Sequence, residues 1–121
     1  MRTSNITLLP FTADGTPSGN YDGSSAGFSG DSGKAASYYS NRGDLQTVAF
    51  YLSGFVGTVT IQGTLESDST TSTWFDLYTI GDGNTAVTSN TSTNISGNFT
   101  WIRATVSDFS AGTIDKVVLS Y

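Results

Sequence analysis

Residues 98–121 read NFTWIRATVSDFSAGTIDKVVLSY, and the side-chain pattern of this stretch decides the fold class. The apolar residues Ile102, Ala104 and Val106 alternate with a second set of side chains, and the same period of two returns in residues 113–121. A period of two is typical of a β-strand, because successive side chains of a strand point to opposite faces. The residues between, SDFSAG, are turn formers. The sequence therefore predicts a terminal β-hairpin whose second strand lies in the middle of a sheet, buried on both faces.

The rest of the chain continues this pattern toward the N-terminus. Turn-forming residues separate short alternating runs, and the segment GFVG at 54–57 fits a second hairpin connection. Residues 89–97 are predicted to be a polar loop, as are residues 67–72. The predicted strands span residues 5–9, 45–53, 58–66, 73–80, 98–106 and 113–121, with a short one at 86–88. Strands at roughly ten-residue spacing are typical of an antiparallel β-sandwich or jelly roll. The residues expected in its core are Val59, Ile61, Leu65, Ile102, Val106, Val117 and Leu119.

Length and composition indicate a single all-β domain over residues 1–121. A chain of this size needs only one core, and its 14 glycines and 12% charged residues suit a sandwich with many turns. Residues 44–121 carry the regular strands. Residues 1–43 hold one strand followed by a long arm rich in glycine, serine and tyrosine.

The arm, residues 11–43, contains too many aromatic side chains for a solvated linker, because large apolar rings that stay in water add no stability. Ordering its glycines costs about 1–2 kcal/mol per residue, so burial of these rings must compensate. We expect the arm to order on assembly and its rings to dock on a neighbouring subunit. The predicted assembly contacts are Phe11, Tyr21, Phe28, Tyr38 and Tyr39.

Charge and residue usage argue against several functions. A net charge of −5 has the wrong sign for a protein that follows a phosphate backbone, so no nucleic acid partner is expected. The apolar run at the N-terminus is too short for a membrane span or a signal peptide, so no membrane partner is expected. No cysteine is present, which excludes disulfides and thiolate metal sites.

Catalytic motifs are present only as short strings. GSSAG at 23–27 and GDSG at 30–33 match hydrolase nucleophile patterns, but a serine needs a base and the chain has no histidine. Most aspartates lie beside glycine, serine or asparagine, where turns use them. The sequence predicts no enzyme, no catalytic residue, no metal ligand and no cofactor, although a hard-cation site at the turn of Asp82 and Asn84 stays open.

Two tryptophans allow alternative interpretations. Trp74 and Trp101 lie in predicted strands, where alternating aromatic side chains ordinarily fill the space between two sheets. If either ring were exposed beside polar groups, a sugar ring could stack on it. Core packing is the favoured interpretation, and glycan stacking is the alternative.

Three segments carry a resemblance to a known group of proteins. VTIQGTLE at 59–66, WFDL at 74–77 and NFTWIRATV at 98–106 resemble small β-sandwich virion proteins of tailed bacteriophages, of the head decoration or tail accessory type, and follow the logic of discoidin-like sandwiches. Arg103 matches the strand arginine of that pattern, for which we expect a structural ion pair or carbonyl contacts rather than a ligand site. The resemblance implies a non-enzymatic, homo-oligomeric capsid decoration or cement subunit located in the virion, with other virion proteins as partners. The alternative is a carbohydrate- or receptor-binding module of a tail or fibre.

Overall fold

The computed structural model describes residues 5–35, 45–66, 73–97 and 99–120, and these residues form eight β-strands. The fold of this part of the chain is all-β, as predicted, and it contains no helix that could cross a membrane. The strands are β1 (Asn5–Leu9), β2 (Thr12–Ala13), β3 (Phe28–Ser29), β4 (Gly33–Lys34), β5 (Leu45–Thr64), β6 (Phe75–Ile80), β7 (Val87–Ser96) and β8 (Trp101–Ser120). The predicted tyrosines Tyr38 and Tyr39, the loop at 67–72 and Tyr121 lie outside the described residues.

The two longest strands, β5 and β8, form the centre of an open antiparallel sheet. Each has 20 residues, and they pair from Thr47 opposite Ser120 to Thr64 opposite Trp101. The short strands β1 to β4 pair in succession along the other edge of β8. Strands β7 and β6 divide the other edge of β5 between them. The C-terminal run is therefore central in the sheet, as predicted, but its outward face is only partly buried.

Both predicted hairpins are wrong, because each predicted turn is a bend within one continuous strand. A straight strand of 20 residues would be about 65 Å long, so a compact fold requires a bend. Irregular register in the middle of the β5–β8 ladder provides it, where Val56 faces Ala111. Gly54 and Gly112 have φ values of 61° and 84°, and Asp108 has 53°. Residues that tolerate positive φ occur in β-bulges as well as in turns. Their presence in a short stretch of sequence therefore does not distinguish a hairpin turn from a bulge within one strand.

The bulges keep one face of the long strands buried on both sides of the bend. In β5 the buried positions are even from Gln46 to Leu52 and odd from Phe55 to Gly63. The extra residue at the bend changes the parity without turning the apolar side chains outward. An aromatic contact joins the two halves, with the ring centroids of Phe50 and Tyr78 5.8 Å apart, and the rings of Phe55 and Phe109 lie 5.4 Å apart at the bend.

Most of the predicted core is confirmed. Val59, Ile61, Ile102, Val106, Val117 and Leu119 are each at most 1% exposed. Leu65 is wrong, since it is 60% exposed and follows the last residue of β5. The predicted polar loop at 89–97 is also wrong, because residues 87–96 form β7. An edge strand with one solvated face needs few apolar residues, so its serines, threonines and asparagines resemble a loop.

Candidate functional site

The outward face of the sheet beside β6 carries a set of linked polar and aromatic side chains that we call the Trp–Arg face, formed by Gln62, Trp74, Asp76, Arg103 and Thr105. Alternation places them there. In β8 the apolar residues at 102, 104 and 106 point into the core, which turns positions 101, 103 and 105 outward. In the ladders Gln62 lies between Arg103 on β8 and Asp76 on β6, so three strands bring the set together.

The side-chain amide of Gln62 is the centre of this face. Its Oε1 accepts hydrogen bonds from Arg103 Nε at 2.8 Å and from Thr105 Oγ1 at 3.1 Å, and its Nε2 donates to Asp76 Oδ1 at 2.8 Å. A further hydroxyl contact of 3.1 Å links Thr105 to Ser29 on β3. Because both ends of the amide are engaged, its orientation is fixed, and the network extends across four strands.

Arg103 stacks on an aromatic ring as well as donating to Gln62. Its Cζ lies 4.3 Å from the ring centroid of Trp74, a cation–π geometry. Partial burial lowers the pKa of the guanidinium from 12.5, and the group still carries its charge at neutral pH. The carbonyl contact expected for Arg103 is made to the side-chain amide oxygen of Gln62. The arrangement places planar hydrogen-bonding groups beside an aromatic ring, a combination that can orient a ligand.

Neither tryptophan belongs to the buried core, contrary to the favoured interpretation. Trp74 and Trp101 are both partly buried, and Trp101 shares the outward face of β8 with Arg103. In the ladders Trp101 faces Thr64 on one side and Lys34 on the other. The alternation of Trp101 with Ile102 is the sequence signal that indicates its outward direction.

The predicted assembly aromatics have different environments. Phe11 is 62% exposed, whereas Tyr21 is 2% exposed and lies in the chain's own core. The Tyr21 ring is 5.0 Å from that of Phe28 and 5.2 Å from that of Phe109, and its hydroxyl accepts a hydrogen bond from the backbone N–H of Gly15 at 3.1 Å. Phe28 is partly buried against the same core. Of the described rings in the set, Phe11 is therefore the one available to a partner in this conformation. The sequence interpretation missed three other exposed apolar side chains: Leu45, Leu65 and Phe75.

Two turn aspartates are occupied by backbone hydrogen bonds. Asp22 Oδ1 accepts from the N–H groups of Ser24 and Ser25 at 2.9 and 2.7 Å, and these bonds lower the pKa of Asp22 to about 2. Asp82 Oδ1 accepts from the N–H groups of Thr85 and Asn84, both at 2.8 Å, and these bonds lower its pKa from 3.8. Both carboxylates act as turn caps. Within the described residues no three acidic, histidine or cysteine side chains lie close enough together to hold a metal ion.

Two cavities have volumes below about 300 Å³, which is the lower end of the usual range for ligand pockets. One of about 180 Å³ lies on the outer surface beside Tyr51 and Asn90. Another of about 230 Å³ lies between β1 and the arm, beside Leu9 and Phe28. Comparison with known proteins gives no match to a family model, to a curated protein or to a solved structure.

Proposed function

We propose that this protein is a non-enzymatic structural subunit that acts through repeated contacts between proteins. The observation that carries the proposal is the edge strand β7, whose ten residues include no charge and no proline. Strand edges that must stay unpaired ordinarily carry lysine, proline or a bulge, because free N–H and C=O groups attract another strand. An edge without these features suits a subunit whose edges are meant to be covered in an assembly.

The assembly we propose is the virion of a tailed bacteriophage, with the protein acting as a decoration or cement subunit on the capsid. The resemblance of residues 59–66, 74–77 and 98–106 supports this class of particle. The exposed apolar side chains of Phe11, Leu45, Leu65 and Phe75 are available for contacts with other virion proteins. Many weak contacts of this kind, repeated over a symmetric shell, give high overall affinity.

The proposed layer arrangement is a sandwich in which the sheet folds over itself at the bend. Phe50 lies in the first half of β5, and Tyr78 lies on β6 beside Ile61 in the second half of β5. Contact between these rings supports two facing layers that share β5 and β8. This arrangement would leave the edge of β7 and the Trp–Arg face on the outside.

A binding experiment tests the structural role. Purified subunit is mixed with phage particles that lack the gene, and co-sedimentation is measured against subunit concentration. We expect saturable binding to a fixed number of sites per particle, and increased resistance of the loaded particles to heat. Absence of saturable binding to heads and tails alike would contradict the proposal.

A second candidate function, carbohydrate or receptor binding, is favoured by the Trp–Arg face alone. A glycan array compares the protein with two variants, Trp74→Ala and Tyr51→Ala. Tyr51 is a matched control, because Lys116 Nζ lies 4.9 Å from the centroid of its ring on the outward face of the other half. Glycan binding that is lost in Trp74→Ala and kept in Tyr51→Ala would support this candidate. No glycan binding by the unaltered protein would eliminate it.

A further inference from the structure

The edge of β7 is the longest strand edge left open in the described part of the chain. On one side β7 pairs with β5, from Ser96 opposite Leu45 to Val87 opposite Phe55. On its other side no described strand pairs with it. Since every second residue of a strand directs its N–H and C=O toward each edge, a row of backbone donors and acceptors faces outward there.

The sheet edges differ in how far they are protected. From Gly83 to Ile102 the sequence has no charged residue and no proline, and β7 lies wholly inside this stretch. The edge at β6 is only six residues long and carries Asp76. Both edges have one irregularity in their pairing with β5, but β7 pairs regularly from Ser96 to Ser89 and is irregular only toward Val87. The edge formed by β1 to β4 is broken into short strands, and Pro10 lies between two of them. Among the edges that the structure describes, only β7 combines a length of ten residues with the absence of charge and proline.

We propose that β7 pairs antiparallel with β7 of a second copy of this chain, about a two-fold axis. This inference deepens the proposed structural role and rests on it. Each copy carries a net charge of −5, so two copies repel except where they meet through an uncharged surface, and β7 is such a surface. A self-complementary edge gives a closed two-fold contact, the commonest symmetry among homo-oligomers.

The facing of the side chains restricts the register. Thr88, Asn90, Ser92, Asn94 and Ser96 are exposed on the outward face, and Ile95 is buried on the inward face. For both copies to keep the same faces outward, directly opposed residues must both have even or both have odd numbers. The register that also places Val87 opposite Ile95 of the second copy sets Thr91 on the two-fold axis. Asn90 then lies opposite Ser92 of the second copy, twice in each dimer.

Charge-pair variants at exposed positions test the pairing and its register together. In the double variant Asn90→Lys/Ser92→Glu, each new positive charge faces a new negative charge across the axis. In Asn90→Lys/Ser92→Lys, positive charges face each other at both sites. Cross-strand charge pairs are attractive or repulsive according to sign. We expect the dimer dissociation constants of the two variants, measured by analytical ultracentrifugation at low salt, to differ by at least about tenfold, equivalent to about 1.4 kcal/mol.

Cysteine crosslinking provides an independent readout, because the chain has no cysteine of its own. Directly opposed residues of an antiparallel pair have Cα atoms about 4.5–5.5 Å apart. That separation falls within the range of about 4.4–6.8 Å that a disulfide spans. We expect Thr91→Cys to give a disulfide-linked dimer under mild oxidation. Thr79→Cys, on the exposed edge strand β6, should give no disulfide-linked dimer at the same concentration, although it still pairs through β7.

The outcomes separate this inference from the proposed function. Pairing through β7 is supported if the opposite-charge variant dimerises, the like-charge variant does not, and Thr91→Cys crosslinks more than Thr79→Cys. It is overturned if the unaltered protein is monomeric at millimolar concentration, or if the two charge variants associate equally. If pairing fails while the subunit still binds phage particles saturably, the structural role stands and only the β7 contact is wrong.

Discussion

Replacing Gly112 by alanine should destabilise the protein far more than the same change at Gly54, although both residues have positive φ. A Cβ at Gly112 would meet the carbonyl group of Gly54 and come within 2.7 Å of Phe55 Cα, all of them backbone atoms that have little room to move. A Cβ at Gly54 would meet nothing within 4 Å. The two glycines face each other where β5 and β8 bend, so they form a matched pair of sites.

The difference in unfolding free energy can be worked from these contacts. Holding alanine in the left-handed region costs about 1–2 kcal/mol at either site. Overpacking against backbone adds about 1–3 kcal/mol at Gly112 alone. We therefore expect a loss of about 1–2 kcal/mol for Gly54→Ala and about 2–5 kcal/mol for Gly112→Ala. In a protein whose total stability is of the order of 5–15 kcal/mol, the second loss removes a large fraction.

Equilibrium denaturation in urea, followed by tryptophan fluorescence, measures both losses on the same scale. Losses in unfolding free energy that agree to within about 0.5 kcal/mol would contradict a bend that packs Gly112 against the backbone of β5. Equal losses are what a local hairpin predicts, since a turn glycine at 112 would then have no backbone of β5 against it. The comparison thus distinguishes one continuous strand from two.

Three further predictions concern a turn, the Trp–Arg face and the arm. The pKa of Asp22, measured by NMR titration, should be about 2. Because this pKa lies below the ordinary 3.8, the turn should lose stability as the pH falls from about 4 to 2. A titration midpoint near 3.8 would contradict the capping geometry. Gln62→Ala should cost about 0.5–1.5 kcal/mol by removing its hydrogen bonds to Arg103 and Asp76, since water can replace part of what is lost on this face. Thr60→Ala, which removes one exposed hydroxyl contact, should cost less than about 0.5 kcal/mol, and equal costs would show that the network adds nothing. Tyr21→Ala should cost about 3–5 kcal/mol in the free monomer, and a neutral result would mean that the arm is not packed on the core.

The sequence predicted local alternation well and long-range pairing poorly. The end of β1 at Leu9 follows from Pro10, and the burial of Val59 and Ile102 follows from a period of two; both signals come from neighbouring residues. Whether Gly54 makes a turn or a bulge depends on what faces it, and that is set by β8, more than fifty residues away. The same explanation applies to β7, whose polar residues form a strand because β5 provides its hydrogen bonds.

The candidate site was predictable only in part. Alternation with Ile102 indicates that Trp101 and Arg103 point outward, so the aromatic and cationic character of the face could be anticipated. The hydrogen bond between Arg103 and Gln62 joins residues 41 positions apart and depends on the register of β5 against β8. Register across such a separation has no local sequence signal, because bulges at the bend shift it by whole residues.

Cryo-electron microscopy of purified phage particles, combined with mass spectrometry of their proteins, tests the proposed role in a virion most directly. We expect the chain to be present in many copies per particle, and density fitting its bent sheet of β5 and β8 to repeat symmetrically on the capsid or tail. Particles that are complete and infectious but contain none of this protein would contradict that role.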